Sequence, residues 1–450
     1  MKSLLLFAIL ISPSVAHRLP DHTSNEVILF KNFRLIDGNG GIAVDRAYML
    51  VKNGKIEKIG RGNIPTTGSI VDLGGKAVMP CLISVHTHIG TLRGTSNKSE
   101  NYTRDNILSQ LKKYQAFGVS NILVMGSDRP MLFNRGLRDS SQKGLIPGAR
   151  IFSAGYGFGA PQGVPPVGFG FDLVYRPVQA SQVKREMDSL VKVRPTLVKL
   201  WLDDFGGQFK KMPPAIYQTI IREAHRRGLR VAAHVYYLSD ARNLVRDSVD
   251  IFAHSVRDSI IDDGLIAEMK KRRIQYIPTL SLDEFAFIYA QKPSWINDEF
   301  FRASLEPGVY EMITSEKYQN DLKNSPAYAR NIKGLETAMK NLKKLFDAGI
   351  LICMGTDSGA QPVRAQGFSE HLELELMVQA GLSPLQAITA ATKNAATLLR
   401  IQEQYGTLEP GKNADFMVLD EDPLRDIRNT RKILSVYNGG KKVSSGPLKN

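Results

Sequence analysis

Val78-Met79-Pro80-Cys81-Leu82-Ile83-Ser84-Val85-His86-Thr87-His88 reads as a short apolar strand that ends in two histidines at alternate positions. A strand sends alternate side chains to one face, so His86 and His88 can converge on a single ion. The same arrangement recurs along the chain. Thr196-Leu197-Val198-Lys199-Leu200 presents Lys199, Leu229-Arg230-Val231-Ala232-Ala233 runs into His234, Val249-Asp250-Ile251-Phe252-Ala253 into His254, and Leu351-Ile352-Cys353-Met354-Gly355-Thr356 into Asp357. A lone strand histidine is usually a satisfied core residue. Five coincidences at strand ends fit metal ligation better than packing.

Lys199 needs its own argument, because an ammonium has donors and no acceptor and cannot hold a cation. A neutral amine that captured carbon dioxide would become a carbamate, with a negative charge and two oxygens able to bridge two ions. The alternative is an ordinary ion-paired lysine.

Working outward, eight apolar strands at 82–87, 119–125, 150–154, 196–201, 230–235, 250–254, 275–280 and 350–356 alternate with helical stretches. Parallel βα units follow from that alternation, and eight of them close into a (β/α)8 TIM barrel over residues 81–404, an α/β fold. Active sites in that fold lie at the C-terminal ends of the strands. His86, His88, Lys199, His234, His254 and Asp357 all occupy such ends. Turn-broken alternating segments flank the barrel, with Asp37-Gly38 and Asn53-Gly54 on one side and Glu409-Pro410-Gly411 on the other. They predict a small β-sandwich module built from both chain ends, residues 25–80 and 405–445.

With these motifs in place, the chain resembles the amidohydrolase superfamily, and within it the imidazolonepropionase-like and Xaa-Pro dipeptidase-like metal-dependent hydrolases. The resemblance rests on the segment ending at His88, on Gly355-Thr356-Asp357-Ser358-Gly359, and on the tail Gly406-Thr407-Leu408-Glu409-Pro410-Gly411-Lys412-Asn413-Ala414-Asp415. It implies that His86, His88 and Asp357 hold one zinc-type ion, that His234 and His254 hold a second, and that a carboxylated Lys199 bridges them. Cys81 and Ser84 depart from the glycine and aspartate usual near the first strand, which predicts altered support around intact ligands.

Divalent cations lower the pKa of a shared water towards neutrality. Asp357 is the catalytic residue on this reading, taking a proton from water and returning it to the leaving nitrogen. The expected reaction is hydrolysis of an amide C–N bond in a dipeptide or N-acyl amino acid. A cyclic amide, lactone or carbamate fits the same site, and a non-catalytic binding protein is the remaining alternative. Val235-Tyr236-Tyr237-Leu238 lacks the glutamate usual in the deaminating branch. By alternation, Trp201 and Asp203 share the direction of Lys199, and Tyr236 that of His234; Trp201, Tyr236 and Arg257 are the candidate substrate contacts. His225 and His371 fall on helical stretches and are not expected as ligands.

Residues 281–345 are long for a crossover and carry Phe285, Phe287, Tyr289 and Trp295; they form either a substrate lid or a surface helical insertion. The Gly155-Tyr156-Gly157-Phe158-Gly159 loop fails as a nucleotide fingerprint because no Lys-Ser/Thr follows, and it reads as a flexible rim loop.

Residues 1–16 have the form of a cleavable signal: Lys2, the apolar run Leu4 to Ile11, and Ser14-Val15-Ala16, with cleavage after Ala16 and a periplasmic or secreted protein as the result. No later stretch is long and apolar enough to anchor the chain in a membrane. The 450 residues carry a net charge of +15, spread along the chain and not gathered in one tract, which argues against a nucleic-acid motif. The partner is a small-molecule substrate, and a homo-oligomer is compatible with these features. Of the two cysteines, Cys81 faces outward and Cys353 inward by strand parity, so they are expected to remain unpaired.

Overall fold

The computed structural model describes residues 26–62, 67–168 and 170–448. The signal segment lies outside them. All eight expected parallel strands are present, in two sheets. Leu82–Thr87, Val119–Val124 and Arg150–Ser153 form one; Val198–Trp201, Val231–His234, Ile251–Ala253, Gln275–Ile277 and Leu351–Ile352 form the other. Backbone hydrogen bonds cross both seams. Thr196 N donates to Ser153 O (2.7 Å) and Phe158 N to Lys199 O (2.8 Å) at one; Val85 N donates to Met354 O (2.9 Å) and Asp357 N to His86 O (2.8 Å) at the other.

Two apolar layers hold the strands. Ile83, Val85, Leu123, Ala232, Ile251 and Cys353 pack with Ala396 and Leu399 in an inner cluster, while the opposite faces meet the surrounding helices. The helix Arg104–Ala116 shows why those helices form: Thr103 caps its start by accepting from Asn106 N (3.2 Å), and Ile107, Leu111 and Tyr114 bury one stripe. The helix Tyr328–Asp347 likewise buries Leu335, Ala338, Leu342 and Leu345.

Both chain ends contribute to one continuous hydrogen-bonded sheet. Ile433–Asn438 and Phe416–Leu419 pair on through Ala77–Pro80 to Val27–Leu35 and Val44–Lys52. One connected sheet therefore joins the two flanks. Its arms meet where Phe30 packs edge-on against Phe416 (5.0 Å) and Tyr437 (5.2 Å). Cys81 and Cys353 are both free and buried, the first hydrogen-bonded towards Tyr437 O and the second towards Asn394 O.

Residues 281–345 fold into short helices leading into Tyr328–Asp347. Phe285, Tyr289 and Trp295 pack on one another and on Phe301 inside the core. Leu282, Arg330 and Asn331 of this region do reach the cavity described below. The loop at 155–161 is pinned by Gly157 N to Gly126 O (3.0 Å) and Gly159 N to Tyr175 O (2.8 Å), more firmly than a free rim.

Candidate functional site

Alternation alone does not deliver the two histidines of the first strand. Ile83 and Val85 face the inner cluster and Ser84 faces the helix Phe368–Gln379, yet His86 also turns inward. A register irregularity between Ser84 and Thr87 re-aims the strand end. Similarly, Ala253 already faces inward, and His254 follows it inward because its backbone adopts φ 94°. Asp357 sits at φ 59°. Left-handed backbone costs a non-glycine residue of order 1–3 kcal/mol, and such strain concentrates at functional sites.

Three donors lie within 4.8 Å of one another: His86, His88 and Asp357. Asp357 Oδ1 is 3.2 Å from His86 Nε2 and 2.9 Å from His88 Nε2. Arg364 pairs with its other carboxylate oxygen. The other two imidazoles adjoin this group, with ring centroids 4.5 Å apart for His86 and His254 and 4.4 Å for His234 and His254. The structure thus brings all four histidines and Asp357 together.

Lys199 is fully buried among them. Its charge bears on His86, His234 and His254, and Asp357 bears on it. Burial pulls its ammonium down to about 7, against the opposing pull of Asp357. Its Nζ finds no hydrogen-bond partner among the described residues, nor does His86 Nδ1. A buried polar atom without a partner is costly, so both atoms fit a site built for something further. Burial pushes His86 down to about 3 and His254 well below the usual imidazole range, which keeps both as neutral donors able to ligate. Burial would raise Asp357, but Arg364 and the adjoining imidazoles outweigh it and hold the carboxyl well below its usual range.

Supporting contacts orient the rings. Ser127 Oγ is 2.5 Å from His88 Nδ1, Thr279 Oγ1 2.8 Å from His254 Nδ1, and Asp203 Oδ2 2.8 Å from His234 Nε2. Glu370, buried on the helix Phe368–Gln379, accepts from the hydroxyls of Ser84 (3.0 Å), Thr356 (2.7 Å) and Ser358 (2.9 Å) and so ties the first and eighth strands. Ser84, where an aspartate is usual, is thus part of this bridge. Sequence reasoning missed Arg364 and Glu370, whose partners are distant or lie on irregular backbone; strand parity did flag Asp203.

An open cavity of about 380 Å³ lies over the imidazoles, lined in part by Trp201, Tyr236 and Arg257. Trp201 places its ring 5.2 Å from Lys199 Nζ. Arg257 is not a spare cation: its guanidinium pairs with buried Asp283 at 2.6 Å and faces the Tyr236 ring at 4.7 Å. His225 pairs with Asp250 on the periphery, and buried His371 lies between Thr430 and Phe117 O, so neither joins the site.

The sequence model of the amidohydrolase family matches residues 77–443. An imidazolonepropionase of Deinococcus radiodurans is 26% identical over 419 residues, covering 88% of this chain and 92% of the relative. Among solved structures, a Xaa-Pro dipeptidase with methionine bound in its active site superposes with a TM-score of 0.72 at 22% identity, covering 93% of this chain and 99% of that one. An Aspergillus niger ochratoxinase gives a TM-score of 0.71 at 20% identity, covering 94% and 97%.

Proposed function

The chain belongs to the amidohydrolase family, hydrolases acting on C–N bonds, and from that premise we propose a binuclear metal-dependent amide hydrolase acting on a dipeptide or N-acyl amino acid. The observation that carries the proposal is Lys199, a buried, unpartnered amine pulled down to about 7 amid neutral imidazoles. A neutral amine is the form that takes up carbon dioxide, and a carbamate there would supply the anion that this half of the site lacks. On this reading His86, His88 and Asp357 would hold one zinc-type ion and His234 and His254 the other, with carboxylated Lys199 as a further ligand. The eight strands, hydrogen-bonded at both seams, support a closed (β/α)8 barrel with these residues at its C-terminal mouth.

Bound divalent ions would supply water acidification and carbonyl polarisation. The chain supplies the rest. Asp357, ionised through the neutral range, accepts a proton from the attacking water and delivers it to the leaving nitrogen. Arg364 holds that carboxylate in place. Burial raises the Tyr236 phenol, so it stays a hydrogen-bond donor at the mouth. The Xaa-Pro dipeptidase likeness supports a peptide-type bond; the imidazolonepropionase relative supports the second reading, a cyclic amide, with lactones or carbamates beside it. We place the mature enzyme in the periplasm or outside the cell, cleaved after Ala16.

The test is turnover by metal-replete protein of dipeptides and N-acyl amino acids beside cyclic amides, esters and lactones. Amide hydrolysis that disappears with chelator and returns with zinc is the expected outcome. Activity confined to esters or lactones would refute the assignment.

A further inference from the structure

The cavity is chemically lopsided. One part of its wall is apolar: Pro165, Pro166, Phe171 and Trp201, with the Phe171 ring 5.6 Å from His88 and 5.9 Å from Trp201. Another part is cationic, from Arg257, Arg330 and Arg364. Two of these cations are already spent, Arg257 on Asp283 and Arg364 on Asp357. Arg330 has no carboxylate partner among the described residues. Its guanidinium lies across Gly206, where an added Cβ would come within 2.1 Å of Nη1, and its charge reaches the Tyr236 hydroxyl. Gly334, one helical turn on, leaves the Tyr236 hydroxyl room: a Cβ there would lie 3.9 Å away. Arg330, exposed at the rim, and Tyr236 line the same cavity, and a free guanidinium with a phenolic donor is a set that can bind a carboxylate.

The negative groups tell the other half. Among the described lining residues only Asp203 and Asp357 carry carboxylates. Asp203 is bound to His234 and to Asp204 N (2.7 Å), and Asp357 to two imidazoles and Arg364. A free dipeptide would bring an α-ammonium into this cavity, where neither lining carboxylate among the described residues is free to pair with it. An N-acyl amino acid brings no such charge.

We infer that the substrate is an N-acyl amino acid with an apolar acyl group, its carboxylate gripped by Arg330 and Tyr236 while the acyl group lies on Phe171 and Trp201. The inference rests on the amide-hydrolase reading above and narrows it. In the reaction the water oxygen bonds to the acyl carbon, the C–N bond breaks, and the proton taken up by Asp357 goes to nitrogen. The products are an apolar carboxylic acid and a free amino acid.

The experiment compares kcat/KM of the zinc-loaded full chain on N-benzoyl-leucine, its carboxamide N-benzoyl-leucinamide, and the dipeptide phenylalanyl-leucine. The acid should exceed both the others by roughly tenfold to a hundredfold, the range of a charge-assisted contact. Arg330→Met should erase the preference for acid over carboxamide by raising KM with kcat little changed, and Arg330→Lys should restore part of it. Dipeptide turnover equal to or faster than that of N-benzoyl-leucine overturns the inference while leaving amide hydrolysis standing. An unchanged acid preference in Arg330→Met does the same. Turnover of none of the three overturns both.

Discussion

The two halves of the site are built on opposite electrostatic terms. Around His86 and His88 the chain provides its own anion: Asp357 lies within 3.2 Å of both imidazoles and is backed by Arg364. Around His234 and His254 it provides a third base, Lys199, and the nearby carboxylate, Asp203, is already bound to Nε2 of His234. On the proposed two-ion reading the first half has its anion as encoded, and the second would need one. Burial has already brought the lysine towards the neutral form that would let it acquire one.

Removing the encoded anion should have the largest effect. Asp357→Asn should remain folded by circular dichroism while kcat/KM falls about 10²–10⁴-fold. Rates that stay at wild type would strip Asp357 of its role in proton transfer.

The next contrast separates the halves by their ring supports. Ser127→Ala should weaken the ion at His86 and His88, and Thr279→Val the ion at His254, each by about tenfold in zinc affinity measured by competition with a chelator. Wild-type affinity in both variants would show that the contacts do not orient the ligands.

A smaller effect distinguishes them by pH. An amine titrating near 7 is neutral above that pH and charged below it. Reconstitution of metal-free protein should therefore need added bicarbonate increasingly as pH falls through about 7, where Lys199 protonates. The half containing His86, which titrates at about 3, should show no break there. Reactivation independent of bicarbonate across pH 6 to 8 would remove the difference.

Much of this was legible in the chain because each strand is short, apolar and ends in a chemically distinctive residue. The eight strands and the convergence of His86, His88, His234, His254 and Asp357 follow from that pattern. Periodicity could not reveal the irregularity after Ser84 or the left-handed backbone at His254 and Asp357, which break alternation where the site needs it. Partners were less legible still. Arg257 looked available because Asp283 lies 26 residues away, and Glu370 joins two strands that meet only in the folded chain. The terminal segments announced strands but not their connection into one sheet, which depends on pairings such as Phe416 with Pro80 across the whole barrel.

The incompleteness of the second half is tested most directly by metal content. Protein prepared without chelator should carry two divalent ions per chain. Lys199→Ala should carry fewer and be nearly inactive, and a short carboxylic acid should restore part of both metal and turnover. A Lys199→Ala protein that holds two ions and works at the wild-type rate without any added acid would contradict the account.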